Sequence, residues 1–449
     1  MFKKFFTYPV FLVLFLSFIG AMGFGSIIKY NYDGGEKYQF LQKPVMLFVE
    51  ASFYVGKIIS NKSIILDKAP KTYKHIDKNR FVQFIENSRN ALLVSTRYDY
   101  SLSGSVVEII DLKNFEIIHT YKHDIRKMND QITNTELYPN INTNQPPTKF
   151  RYFNPLIFED GSLLSHDFQG PLFKIDICSN IKWINDKKKF HHMKNIDLDG
   201  NIWVGILMRP ESKYVKKYFL ENYEEDGIAK VNSNGEILYS KSVNELLIEN
   251  NILPQNSAYN TYQLGNPNLT HLNDIEPAFT DTEYWKKQDV FLSLRKLSAI
   301  VHYRPSTNKI INYITGPFAE QHDVDIISDK EILIFNNNTF YVDGQYSEVL
   351  IYNFETKKFK KLLNDQLQKE NFKTHANGVS QILKDKSLLV EESVHGRIIL
   401  FNKEGEKEWE YINKDKNGDI SVFSFSWVVE DELFIEKFKS LVKNKKCSN

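Results

Sequence analysis

The sequence predicts an all-β fold, a six-bladed β-propeller preceded by an N-terminal transmembrane helix. Three observations predict it. Aromatic residues make up 14% of the 449 residues, with Phe 33 and Tyr 24, a composition that favours strands over a helical bundle. Short apolar segments recur in pairs, each pair joined by a turn. A second, Asp-containing turn recurs in a common register upstream of those pairs. Composition also excludes some classes. Lys+Arg 57 against Asp+Glu 56 leaves a net charge of +1, so the chain is not built to wrap nucleic acid by bulk charge. Hydrophobic residues at 42% and charged residues at 25% place it among globular rather than disordered chains.

The N-terminus reads as an address. Lys3 and Lys4 precede an uninterrupted apolar run from Phe5 to Ile28, long enough for the ~20 residues a bilayer crossing needs. The leading lysines put the start in the cytosol and the remainder outside. Residues 1–28 are therefore expected to form a signal anchor or transmembrane helix. A cleaved signal peptide is the competing reading, with Ala21 and Gly23 as small residues before a cut. Either way the body is exported, and the expected location is the periplasmic face of an inner membrane, held by one span. Residues 29–79 read as a membrane-proximal helical linker, 80–430 as the propeller and 431–449 as a basic, solvated tail. Cys178 and Cys447 are too few for a disulfide framework or a Cys-based zinc site. With Cys447 in the lysine-rich tail, the expectation is that they stay unbridged.

The hairpins come in order along the body: 106–121, 171–184, 227–240, 298–314, 348–362 and 396–412. Each alternates apolar residues around an Asn, Asp, Gly or Lys turn. Upstream, "HMKNIDLDGNIW" from His192, "HDVDIISDKEIL" from His322 and "GVSQILKDKSLL" from Gly378 place Asp199, Asp329 and Asp385 in one register, with Asp160 in "FNPLIFEDGSLL". Radial repetition of four-stranded units follows.

In such a unit the innermost strand lines the central channel, and the first two strands form a hairpin. The start of the first strand and the end of the second then share one mouth. His192, His271 and His322 stand at first-strand starts; Arg97, His166, Arg295 and Asn336 stand at second-strand ends. Repeat-equivalent positions thus send several imidazoles and one or two guanidiniums toward one funnel. Such a ring suits a metal, since neutral His is a common ligand, or an anion held by a fixed Arg charge. An Arg among the donors repels a divalent cation, so the anion reading is preferred, with no metal and no cofactor.

These residues resemble the bacterial arylsulfate sulfotransferase family, a six-bladed propeller. The matching segments are 190–204, 269–279, 289–303, 319–338 and 378–392, within roughly residues 80–415. The resemblance implies transfer of a sulfuryl group from a phenolic sulfate ester to a phenolic acceptor through a sulfohistidine, without the nucleotide sulfate donor. It places the nucleophile on His322 and the sulfuryl-holding groups on His192, His271, Asn273 and Arg295, with His192 rather than His191 in register. His166 and Asn336 are added as substrate-binding residues from their strand-end positions. The family's usual "HxNS" stretch reads His271-Leu272-Asn273-Asp274 here, and Lys296 follows the Arg. Two other readings stay open: a non-catalytic periplasmic propeller that binds anions or protein partners, and a metal-dependent lyase or hydrolase on the same funnel. "DLDGN" at 197–201 reads as a blade turn, since the rest of a calcium loop is missing. Glu391, Glu392 and Arg397 read as a salt-bridged rim.

Overall fold

The structure, a computed structural model, describes residues 80–447 apart from 87–88, 103, 139–140, 142–149, 217–222, 254–267, 340–345, 417 and 419, together with residues 15–17, 19–20 and 23. The expected linker at 29–79 and nearly all of the expected anchor at 1–28 lie outside the described residues. Among the described residues no helix is long and apolar enough to cross a membrane. The chain divides into two units, residues 1–64 with 263–266 and residues 65–262 with 267–449; all described strands belong to the second.

In chain order the strands begin with β1 (Phe81–Gln83), β2 (Leu92–Asp99), β3 (Gly104–Asp111) and β4 (Glu116–Tyr121). Next come β5 (Phe153–Ile157), β6 (Leu163–His166), β7 (Gly170–Ile175), β8 (Ile181–Ile196), β9 (Ile202–Leu207), β10 (Asp226–Val231) and β11 (Ile237–Ser242). They are followed by β12 (Leu272–Pro277), β13 (Val290–Leu294), β14 (Ala299–Arg304) and β15 (Lys309–Ile314), then β16 (Val324–Ile326), β17 (Glu331–Asn336), β18 (Glu348–Asn353) and β19 (Lys358–Leu362). Last are β20 (Val379–Ile382), β21 (Leu388–Glu392), β22 (Arg397–Phe401), β23 (Lys407–Ile412) and β24 (Trp427–Val429).

The fold is all-β and propeller-like, but it departs from six separate blades. Four sheets are blades: β24-β2-β3-β4, β12 to β15, β16 to β19, and β20 to β23 with β1 added outside β23. The stretch from β5 to β11 forms one seven-stranded sheet. The physical cause is β8, whose 16 residues do not break between repeats. Its first part pairs with β7 as far as Phe190, and from Lys189 onward it pairs with β9. One strand thus ends one meander and starts the next.

The two ends of the described chain close the ring. β24 pairs with β2, Leu92 opposite Val429, and β1 pairs with β23, Phe81 opposite Tyr411. Apolar side chains between sheets supply the core, with Trp409, Tyr411, Leu400 and Leu93 in one buried cluster and Leu292, Val301, Tyr303 and Leu246 in another. Each such side chain contributes roughly 1.5–3 kcal/mol when fully withdrawn from water.

The Asp turns are there at Asp160 and Asp385, while at the other two positions a residue ahead of the expected Asp199 and Asp329 does the capping: Asp197, and Ser328, which accepts from the Lys330 amide. Asp160 accepts from the Ser162 N–H at 2.9 Å and Asp385 from that of Ser387 at 3.0 Å. In "DLDGN" the turn is closed by Asp197, which accepts from the Asp199 and Asn201 amides at 2.9 Å each and pairs with Lys230. Gly161 and Gly200 take φ of +73° and +77° in these turns, and Lys386 takes +71° at the matching position, an unfavourable conformation for a residue with a Cβ.

Two expectations about the C-terminus are corrected. The stretch read as a solvated tail contains a helix, Glu432–Asn444, capped by Asp431 and burying Ile435 and Phe438 against Tyr121 and Ile157. Lys437 and Lys439 pair with Glu159 and Asp111. Docking of that helix brings Cys447 to Cys178 in the β7–β8 turn, and the two form a disulfide with Cα atoms 5.4 Å apart. The sequence could not register this proximity, because 269 residues separate the partners.

Candidate active site

Three strands carry the same local device. β5 and β12 have a register shift near their start, between Phe153 and Leu156 and between Leu272 and Asp274, and β8 has one near its end, between His191 and Lys194. A left-handed residue sits at each: Asn154 (φ 37°), His192 (φ 58°) and His271 (φ 49°). A bulge re-aims a side chain away from the strand's ordinary alternation. A left-handed histidine costs conformational energy that concentrates at functional sites.

The bulges bring the histidines together. The His192 ring lies 4.9 Å from that of His271 and 5.9 Å from that of His322, centroid to centroid. His191 joins them, its Nδ1 lying 2.8 Å from His192 Nδ1. His322 is buried, and neither of its ring nitrogens has a hydrogen-bond partner. Burial drives its pKa well down, and the positive charge of Arg295 and the nearby His271 act in the same direction. His192 is held low by burial and by His271, His191, His322 and His166. His271 falls to about 4, again chiefly by burial, with Asp226 opposing the shift. These three rings are therefore neutral near pH 7, which leaves His322 with an available lone pair.

Arg295 follows β13. Its Nη2 donates to Glu320 at 2.5 Å and reaches the His375 carbonyl at 3.4 Å, while its buried Nε has no partner. Glu320 also takes Lys296 at 3.2 Å and the Thr339 hydroxyl at 2.8 Å. Asn273, in the bulge of β12, donates to the Gln321 carbonyl at 3.0 Å and leaves its buried Oδ1 unpartnered. The unpartnered polar atoms at this mouth thus include both His322 nitrogens, Arg295 Nε and Asn273 Oδ1.

Two sequence-chosen residues offer the pocket little. His166 sets its two ring nitrogens against backbone carbonyls, Asp167 at 2.6 Å and His192 at 3.0 Å. Asn336 accepts from the Ala319 and Asn338 amides at 2.9 and 3.0 Å and donates to Glu348 at 3.0 Å. A strand end needs such an acceptor for its turn amides. Arg97, at a strand end in the first sheet, is buried in ion pairs with Asp99 and Glu108. Glu392 and Arg397, read as a rim, instead form a buried ion pair at 2.7 Å, and Glu391, also buried, accepts from the Phe425 and Ser426 amides.

Sequence reasoning missed three contributors. Phe425 stacks on His322 with centroids 5.0 Å apart. Glu320 holds Arg295. Asp226 lies 3.5 Å from His191 Nε2. Only the last leaves a trace in the sequence, as an Asp at the start of a strand.

Beside the histidines a cavity of about 300 Å³ is lined by Asn154, Met193 and Asn195 of β5 and β8, by Asp323 and Asp325 at the start of β16, and by Phe425 ahead of β24, among others. Burial raises the pKa of Asp323, Asp274 and Glu276 well above the carboxylate range, with mutual repulsion adding to it, and raises Asp325 to about 7. Asp323 does not hold the His322 ring; its Oδ2 accepts from the Ser380 amide at 3.0 Å. Among the described residues no group of three or more His, Cys, Asp or Glu side chains is placed to hold a metal ion.

A propeller-like fold thus brings buried neutral imidazoles, an Arg and an Asn together, an arrangement that offers a neutral nitrogen and fixed hydrogen-bond donors. The family model for arylsulfotransferase (ASST) matches residues 154–414, more than half the chain, and the chain belongs to that family. Membership supports a transferase role. No curated relative matches the chain. Among solved structures, a protein of unknown function from Bacteroides caccae is 12% identical over 77% of this chain and 100% of that one, with a TM-score of 0.47. TolB from Acinetobacter baumannii is 9% identical over 77% and 68%, TM-score 0.44. Virginiamycin B lyase from Staphylococcus aureus is 13% identical over 58% and 70%, TM-score 0.34.

Proposed function

We propose that the protein is an arylsulfate sulfotransferase that moves a sulfuryl group from a phenolic sulfate ester to a phenolic acceptor through a sulfohistidine on His322, without a nucleotide donor. The observation that carries this reading is His322 itself: a buried imidazole with both nitrogens unpartnered, beside His192 and under the field of Arg295. Sulfuryl transfer resembles phosphoryl transfer in spreading charge over equatorial oxygens and the leaving oxygen. In-line attack by His322 needs no prior deprotonation. Arg295 supplies positive charge and, through Nε, a hydrogen bond to the SO₃ oxygens, the neutral, half-buried His271 adds a hydrogen bond, and Asn273 orients the group. Lys296 and Asp274, which depart from the family pattern, serve the frame: Lys296 pairs with Glu320, and Asp274 accepts from the Val324 amide at 3.1 Å.

Export is part of the same reading. Residues 1–28 would anchor the chain in the inner membrane, 29–79 would link it, and 80–430 would act in the periplasm. The Cys178–Cys447 bridge supports this, because disulfides persist in oxidising compartments.

The test is steady-state turnover of 4-nitrophenyl sulfate with a phenol acceptor. Ping-pong kinetics in the native protein and loss of turnover in His322→Asn are expected. Full activity in that variant would overturn the assignment. Tight binding of the sulfate ester with no transfer would instead favour an anion-binding propeller.

A further inference from the structure

Resting on the sulfuryl-transfer reading, we propose that Asp226 and His191 form a positioning pair that makes His192, rather than His271, the group that carries the proton between the two half-reactions. Asp226, His191 and His192 form a chain. Asp226 Oδ1 lies 3.5 Å from His191 Nε2, a charge contact without a hydrogen bond, and His191 Nδ1 lies 2.8 Å from His192 Nδ1. Asp226 is itself fixed by the Thr270 hydroxyl at 2.7 Å, the Leu272 amide at 2.8 Å and the Asn268 side chain at 3.0 Å. The His191 ring is seated against Gly205, where an added Cβ would come within 2.8 Å of its Cε1. Asp226 and His191 are both buried.

The chemistry follows from which nitrogen holds the hydrogen. The carboxylate favours a proton on His191 Nε2. His191 Nδ1 is then a lone pair that accepts the Nδ1–H of His192. That leaves His192 Nε2 as the atom free to take up and return a proton, the logic by which a carboxylate orients a catalytic imidazole. The groups facing His192 are His166 from β6, His191 beside it, His271 just ahead of β12 and His322 ahead of β16. Asp226 also acts on His271 through its charge, but among the described residues no side chain hydrogen-bonds the His271 ring.

The steps balance. The donor brings a negative charge, which raises the proton affinity of His192, and as the donor binds, His192 Nε2 takes up one proton from solvent. His322 nitrogen bonds to sulfur as the sulfur–oxygen ester bond breaks, and His192 gives its proton to the departing phenolate. The acceptor phenol then returns a proton to His192 as its oxygen bonds to sulfur and the nitrogen–sulfur bond breaks. No oxidant, reductant or further reactant is required.

The experiment compares donors whose leaving groups need a proton to different degrees. General acid help is worth about 10²–10⁴-fold, and a misplaced acid retains part of it. His191→Phe is therefore expected to lower kcat on phenyl sulfate by about 10–100-fold. On 4-nitrophenyl sulfate, whose phenolate leaves without help, the loss is expected to stay below about threefold. KM is expected to hold for both. Asp226→Asn, which keeps the side-chain shape, is expected to show the same donor dependence if His191→Phe fails to fold. Equal losses on both donors, or none, would overturn the pair. If the native protein forms no sulfohistidine with either donor, the sulfuryl-transfer reading fails and the pair falls with it; a labelled native protein with donor-independent variants fails the pair alone.

Discussion

The Phe425 ring lies over the His322 imidazole, with centroids 5.0 Å apart and planes 30° from parallel. Phe425 belongs to the segment that leads into β24, the strand that closes the ring, and Glu391 fixes its backbone N–H at 3.0 Å. The His322 ring is therefore covered on one face by the segment that leads into the ring-closing strand, and neither of its nitrogens has a hydrogen-bond partner.

Removing that cover should free the ring. Phe425→Ala is expected to cost about 3–5 kcal/mol of stability, as Phe truncations in cores do. It should also slow single-turnover sulfation of His322 by at least roughly tenfold, since an ångström of misplacement can cost 10²-fold. Phe425→Leu should retain more of both. Rapid-quench measurement of His322 labelling in the folded variant checks this; labelling at the native rate would show that the stack does not position the ring.

Under the proposed reading Glu320 competes with the donor for Arg295. Its carboxylate takes Arg295 Nη2 and Lys296 Nζ together. Glu320→Gln removes the negative charge and leaves the side chain in place. We expect the donor KM and the inhibition constant of inorganic sulfate to fall severalfold, given the ~1.4 kcal/mol that a factor of ten represents. A rise in both would mean that Glu320 holds Arg295 in the productive position and that its charge does not compete.

The carboxylates of the central cavity set a pH dependence of opposite sign to that of the histidines. Burial raises Asp325 to about 7 in the folded chain, against 3.8 for the ordinary group. Its contribution is fully present below 3.8 and is lost as pH rises through about 7. His271 is depressed to about 4 from 6.5, so its contribution is present above 6.5 and lost as pH falls toward 4. Asp325→Asn should therefore become more stable relative to the native protein as pH is raised from about 5 to 8. Paired thermal melts across that range check the sign; a constant difference would show that Asp325 does not titrate there.

The bridge between Cys178 and Cys447 ties the terminal helix to the β7–β8 turn. Its removal in Cys178→Ser should cost about 2–4 kcal/mol. The loss should appear first as hydrogen exchange in Glu432–Asn444 and only then in the strands, because that helix is held otherwise by Ile435, Phe438 and exposed ion pairs. Unchanged exchange in the helix would assign its docking to packing alone.

Much of the frame was legible because its signals are local. An Asp or Asn that closes a turn on its own backbone, as Asp160 and Asp385 do, announces itself within four residues, and hairpin alternation does the same. The convergence of His192, His271 and His322 was legible because equivalent repeat positions share one geometry. What escaped was non-local. Nothing near Phe425 or Glu320 marks them as neighbours of His322 or Arg295, since the contacts arise only when separate sheets meet. Asn336 shows the opposite error: its position suggested the pocket, yet its amide is needed by the Ala319 and Asn338 N–H groups. The unbroken β8 escaped because its bulge at His191 and Lys194 keeps pairing across what the repeat period marks as a boundary.

The most direct measurement is mass analysis of the native protein quenched after mixing with 4-nitrophenyl sulfate and no acceptor. The expected result is a burst of nitrophenol matching the enzyme concentration and one acid-labile sulfuryl group on the peptide that carries His322, absent from His322→Asn. A burst with the label on another residue, or turnover with no covalent label at all, would contradict it.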